Sequence, residues 1–354
     1  MIDVLRAWYV RNFSDPQAVI LALMIIFGVA LFAFMGQVLT PVIAAVVIAY
    51  VLEGVVRKLC RLKIPHLLSV SLVVVGFVVL LLVLMLGLTP VISTQMSQFF
   101  LEVPSMLTKG QSLLISLPKE YPFISEQQIQ DIVSHVNTEI ASIGQLVVSR
   151  SVSSVVNLFT VLVYMVVVPL LVFFFLKDKE NILQWLSRFL PKEDGLATKV
   201  WKDVDVKIGS YIRGKLLEVV IVGIATYIPL KIFDLQYAAL LSLFVGLSVI
   251  IPYVGAVAVT IPVALIAYFQ FGPGSEFLYI MLAYLIVQFL DGNILVPLLF
   301  SEVVNMHPAA IIMSVLVFGG LWGVWGVFFA IPLATLIQAV INAWPIDAAE
   351  NSAL

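Results

Sequence analysis

The sequence predicts an all-α, polytopic integral membrane protein of about eight transmembrane helices. Some of these are expected to be short hairpins broken by proline and glycine, and a small helical segment is expected outside the membrane. Composition is the first reason: of 354 residues 62% are hydrophobic and 11% charged, with a mean hydropathy of +1.12. A soluble domain is roughly 45–50% apolar and about 25% charged. Run length is the second. A helical span needs about 20 apolar residues, and the runs here supply roughly eight. The third is that these runs lack the period-two alternation of an outer-membrane barrel. In hydrocarbon a helix is the remaining way to satisfy every backbone N–H and C=O.

Taken in order, residues 1–16 are polar and carry Arg6 and Arg11. No signal-peptide cleavage pattern follows, and the run from Ala18 reads as a retained span. Residues 17–54 hold about two span lengths, joined tightly around Gly36, Gln37 and Pro41. A basic knot follows, with Arg57, Lys58, Arg61 and Lys63, and a third span covers 67–89. The positive-inside rule places the N-terminus and this knot in the cytoplasm, as a hairpin before the third span requires. Residues 1–90 thus read as an N-terminal membrane unit. Glu53 ends the second span four residues before Arg57, a spacing that suits an ion pair.

Residues 91–150 form an outer amphipathic helical segment. The third span continues into it through Ile92, Met96 and Phe99. Ser125 and Gln128 match a capping box, and Ile129, Ile132, Val133, Val136, Ile140 and Ile143 follow at helical spacing. That stripe packs the segment on itself or meets another subunit. A span over 151–176 comes next. Residues 177–210 are charged and cytoplasmic, with two apolar faces suited to helices lying on the membrane surface. The first face is Ile182, Trp185, Leu186 and Phe189; the second is Leu196, Val200, Val204 and Ile208.

Residues 211–345 read as a C-terminal transport region. After Lys215 the only basic side chain is Lys231, so its topology is not legible from lysine and arginine. It holds an internal echo. GLSVIIPYVGAVAVTIPVAL (246–265) and GGLWGVWGVFFAIPLATL (319–336) share central glycines and then Ile-Pro, with a one-residue gap. Pro252 and Gly255 suit a turn within the membrane region, and Pro262 a bend in the returning arm. Gly323, Gly326 and Pro332 are their counterparts, and Trp322 and Trp325 bracket Gly323 as interfacial anchors. Paired Gly/Pro-broken segments often mark a transporter's binding site; glycine and proline are also simply common in membrane helices.

Four motifs in order resemble the autoinducer-2 exporter family. They are YIRGKLLEVVIVG (211–223), IPYVGAVAVTIPVAL (251–265), QFLDGNILVPLLFSEVVNMHP (288–308) and GGLWGVWGVFFAIPLATLI (319–337). One departure is Lys215, where the resemblance leads one to expect glutamine. The resemblance implies a multi-pass bacterial inner-membrane transporter with both termini cytoplasmic. It implies a homo-oligomeric ring, a pentamer being one candidate. For substrates it implies the autoinducer-2 quorum-sensing signal or, in some branches, sodium/proton exchange.

Ionisable groups inside a membrane are functional candidates by default. Asp291 leads, mid-run, with Gln288 and Asn293 near it and Pro297 freeing a carbonyl one turn back. Asp291 suits a cation or a proton, and Asn293 a polyol; a helix cap at a break is the plain alternative for Asp291. Lys215 and Glu218 are spaced to pair on one helix face, either as an interfacial ion pair or as a cavity-facing proton site. Arg213 and Lys215 suit an anionic ligand. His307, with Glu302 and Asn305, suits a proton relay or is a loop residue at the membrane edge.

Motifs for zinc hydrolysis, a serine nucleophile elbow or a phosphate-binding loop are missing from the sequence. Three scattered histidines and one cysteine suggest no metal site and no cofactor, and there is no basic stripe for nucleic acid. The expected function is a secondary transporter, not an enzyme, exporting a small polar solute such as autoinducer-2. A sodium (or lithium)/proton antiporter using Asp291 and Glu218 is the alternative. A membrane scaffold without transport is the alternative of another class. The partners are the solute or Na+/H+, and the lipid bilayer.

Overall fold

The computed structural model describes residues 16–120, 127, 134, 154–188, 196–300 and 306–343. Among them every regular element is helical. In chain order these are α1 (Pro16–Arg61), α2 (His66–Glu120), α3 (Ser154–Lys177), α4 (Lys179–Ser187) and α5 (Leu196–Ile232). Then come α6 (Ala238–Ser248), α7 (Val254–Phe271), α8 (Ser275–Leu290), a π-helical turn (Asp291–Leu295), α9 (Val296–Phe300), α10 (Pro308–Phe328) and α11 (Ala330–Ala343). Five stretches are long and apolar enough to cross a membrane: Val38–Arg61, His66–Ser112, Val254–Phe271, Ser275–Phe300 and Pro308–Phe328. Val163–Lys177, Ala238–Ser248 and Ala330–Ile341 are shorter apolar helices. The chain is a polytopic helical membrane protein.

Two sequence expectations need correction. Residues 17–54 are not two spans joined at a tight turn; they lie within the single helix α1, with Pro41 inside it. A proline costs one backbone bond, and in membrane helices neighbours and local adjustment re-satisfy the freed carbonyl. The hairpin argument for a cytoplasmic N-terminus therefore falls. Nor do residues 196–208 form a separate surface helix: they are the first turns of α5, continuous through Ile232. The outer stripe at 129–143 lies outside the described residues, as do Phe189, Glu302 and Asn305.

The third span does continue as helix beyond residue 89. At 55 residues, α2 is about 80 Å long at 1.5 Å per residue, against a hydrocarbon core of about 30 Å. Ile92, Met96, Phe99 and Met106 on its outer half pack on a core from α5 to α8 that includes Leu230, Tyr237, Leu241, Val263, Ile266 and Ile280. The Gln95 side-chain oxygen accepts the Leu240 N–H at 2.8 Å, satisfying an open donor at the start of α6.

The opposite end gathers the charges. The basic knot lies at the turn between α1 and α2, where Lys63 has a left-handed φ of 66°. Glu53 pairs with Arg57 at 3.5 Å, as its spacing predicts, and also with Lys179 of α4, which the sequence did not reveal. Tyr50 of α1 donates its hydroxyl to the Asp205 carboxylate of α5. These contacts bring Lys179 and Asp205 to the end of α1 that carries the basic knot. A second core joins α1, α2 and α3 through Ala45, Val70, Val73 and Val172. A third joins α1, α5, α9, α10 and α11 through Val47, Tyr211, Ile212, Phe300, Phe328 and Ile331.

Candidate functional site

The echo in the sequence is an echo in structure. Helix α6 ends at Ser248, the chain turns through Ile250–Tyr253, and α7 packs back on α6. Tyr253 has φ 62°. In the second copy the helix breaks at Gly323, with φ 61° and ψ −137°, and α11 packs back on α10. With Ile261-Pro262 aligned on Ile331-Pro332, Tyr253 and Gly323 fall at equivalent positions. The glycines just after each break also do the same thing. A Cβ on Gly255 would strike the Ser248 carbonyl oxygen; one on Gly326 would strike the Phe318 carbonyl oxygen. The second span of chain is longer by one residue, the gap seen in the sequence. Pro262 lies inside the continuous helix α7, and Pro332 in the first turn of α11. Trp322 stacks on Phe318, with centroids 5.6 Å apart, and Trp325 on Phe329 at 6.3 Å, each within its own arm of the hairpin.

Breaking a helix leaves carbonyls without partners, which in a membrane must be satisfied by protein. Helix α5 supplies a donor to a helix-end carbonyl in each hairpin within about one turn, at the end of α6 and at the junction of α10 and α11. The Tyr211 hydroxyl donates to the Phe328 carbonyl at 3.3 Å. Lys215 Nζ donates to the Val249 carbonyl, at the end of α6, at 2.8 Å. A cation at a helix C-terminus is also favoured by the helix dipole.

Lys215 and Glu218 form the predicted pair. Nζ lies 2.7 Å from Glu218 Oε2, and the side chains are 5% and 3% exposed. This is a buried pair, not a snorkelling interfacial one. The contact is a direct ion pair between ammonium and carboxylate. Nζ also sits 5.2 Å from the Phe300 ring centroid, within cation–π range. Asp291 lies close enough to interact electrostatically with both Lys215 and Glu218.

Tyr284, Gln288 and Asp291 share the face of α8 that turns inward, and α8 packs on α5. Tyr284 is fully buried and meets the Thr260 hydroxyl of α7 at 2.9 Å. Gln288 Nε2 and Asp291 Oδ1 are buried with no hydrogen-bond partner. Pro297 explains the backbone here. It has no N–H to give to residue 293, and the helix widens to π over Asp291–Leu295, with the Val296 N–H donating to the Asp291 carbonyl. Such π-turns occur often at functional sites.

The structure does not bring every candidate together. Asn293 is exposed, and its amide donates to its own helix at Phe289 O, 2.9 Å away. Arg213, two residues from Lys215 and so on another face of α5, donates to Ser210 Oγ at 3.5 Å. His307 is exposed and caps α10, its Nδ1 accepting the Ala309 N–H at 3.2 Å. We expect His307→Ala to cost about 1 kcal/mol or less, the scale of a lost N-cap. Transport should be unchanged in a vesicle assay; a transport-dead but folded H307A would return the histidine to the mechanism.

Known proteins give the assembly a family. A family model described as "AI-2E family transporter" matches residues 21–346. PerM of Escherichia coli K12, provisionally named a permease, is 46% identical over 98% of both chains. The chain belongs to the AI-2E transporter family. YueF of Bacillus subtilis, provisionally named a transport protein, is 30% identical over 86% of this chain and 84% of its own. TqsA of E. coli K12, named an AI-2 transport protein, is 24% identical over 87% of each. The sequence had pointed to Lys215, Glu218, Gln288 and Asp291 within this family's frame. It missed Tyr211, Phe300 and the Val249 carbonyl. For Tyr211 the available signal was a hydroxyl one helical turn before Lys215 on the same face of α5.

Proposed function

We propose that this AI-2E family member is a secondary transporter of the bacterial inner membrane that exports a small polar molecule. Its path runs past Lys215, Glu218, Gln288 and Asp291, between the two hairpins. One observation carries this reading. A single turn of α5 binds one carbonyl of each hairpin, beside a buried ion pair and two buried polar atoms without partners. Buried polar groups left unpaired cost free energy, and a passing solute with hydroxyls would satisfy them.

The Lys215–Val249 bond is a charged one, worth about 1.5–3 kcal/mol. It favours the latched hairpin on the order of tenfold to a hundredfold. That is small enough for a solute whose polar groups compete for Lys215 Nζ to release it, while a proton on Glu218 would leave Nζ on the Val249 carbonyl and favour the latched hairpin. The latch is therefore a natural place for coupling between proton and solute.

Autoinducer-2 is the cargo to test first, because TqsA bears its name. Cells producing the signal would express wild type, Asp291→Asn or empty vector, with the signal measured inside and outside. Wild type should lower the inside-to-outside ratio, and D291N should match empty vector at equal membrane abundance. Export by D291N equal to wild type would remove Asp291 from the path. Wild type equal to empty vector would remove this cargo.

A further inference from the structure

We infer that Lys215 is a tethered cation: its Nζ fills a site built for a small monovalent cation, and the chain consequently needs no metal ion there. The donors around Nζ are those such a cation takes. Glu218 Oε2 lies at 2.7 Å, the Val249 carbonyl at 2.8 Å and the Phe300 ring face at 5.2 Å. The carbonyl belongs to a broken helix end, the element that coordinates sodium in transporters with discontinuous helices. Glu218 is 2% exposed, and its Oε2 is in direct ion-pair contact with Nζ. Asp291 adds a second carboxylate within electrostatic range, with Oδ1 unpartnered. Two carboxylates, an open carbonyl and an aromatic face hold one positive charge among them, and it is carried on a lysine stem.

Two consequences follow. The cluster does not select sodium in the wild-type chain, so a sodium/proton antiporter working through Glu218 and Asp291 is disfavoured. Cutting the stem back while keeping the donors opens the site to a cation from solution.

The experiment uses the full chain purified in detergent, as wild type, Lys215→Ala and the double variant Lys215→Ala/Glu218→Gln. Thermal unfolding is followed in choline chloride, sodium chloride and methylammonium chloride at equal ionic strength. K215A should unfold below wild type in choline and rise by a few degrees, saturably, in sodium or methylammonium. Wild type and the double variant should be indifferent to the cation. An unresponsive K215A overturns the inference, as does an equal response in wild type or in the double variant. If K215A gives no folded protein in choline, its folded yield in sodium or methylammonium becomes the readout; equal failure in all three salts overturns the inference. The inference concerns the same cluster as the proposed transport path, but its readout is binding. A chain that exports nothing can pass this test, and one that fails it can still export.

Discussion

Removing one partner of the Lys215–Glu218 pair is expected to destabilise the protein more than removing both. The side chains are 5% and 3% exposed, and a charge left alone in such a place costs about 3–5 kcal/mol. Glu218→Leu leaves Lys215 without its contacting carboxylate, with the Val249 carbonyl, the Phe300 ring and Asp291 within electrostatic range; Lys215→Met strands Glu218 beside Asp291. The second single variant should be the worse, because it leaves two carboxylates facing each other without their cation. In Lys215→Met/Glu218→Leu neither charge remains. What remains is the Val249 carbonyl without its donor, a loss of about 1–3 kcal/mol, and Asp291 as a single carboxylate without the cation near it. The double should therefore be more stable than either single variant and lose the latch. Denaturant or thermal unfolding in detergent, run as a double-mutant cycle, checks this. Simple additivity of the two single effects would mean that the pair is not energetically coupled. Transport by the double variant at wild-type rate would mean that the pair serves only the fold.

Much of this was legible in the chain, and the misses have physical causes. Composition sufficed for the membrane class, since 62% hydrophobic residues leave no soluble alternative. The three-residue spacing of Lys215 and Glu218 was enough for the pair, and Ile92, Met96 and Phe99 for the continuation of α2 past residue 89. Local sequence misled at Gly36, Gln37 and Pro41. Those are turn residues in water, yet they lie within one helix here, where hydrocarbon penalises any turn that exposes backbone. Asp291 was legible as an odd charge, while the π-turn around it needed the backbone consequence of Pro297. The bonds that Tyr211 and Val249 make were out of reach for another reason. Their partners are Phe328 and Lys215, distant in sequence, and one of the groups involved in each bond is a backbone carbonyl, which has no letter in a sequence.

Gly255→Ala and Gly326→Ala are each expected to disrupt a hairpin, although alanine is usually the milder residue in a helix. The reason is what the new methyl meets. At Gly255 it strikes the Ser248 carbonyl oxygen, and at Gly326 the Phe318 carbonyl oxygen. A clashing side chain can rotate away; a carbonyl can move only with its helix. The arms must part, and forced overpacking costs typically about 1–3 kcal/mol, occasionally more. Moving the arms also drags Val249 from Lys215 in the first hairpin and Phe328 from Tyr211 in the second, adding the loss of one satisfied carbonyl each. Gly54→Ala and Gly76→Ala are the controls, since a methyl there meets nothing within 4 Å. Both lie in helices, so neutral or slightly raised stability is expected. Unfolding temperature and membrane yield of the four variants distinguish the cases. If G255A and G326A behaved like the controls, the close return of each arm would be wrong. If only one of them were damaging, the two hairpins would not be equivalent, and the echo at Ile-Pro would be no more than a coincidence of membrane-helix composition.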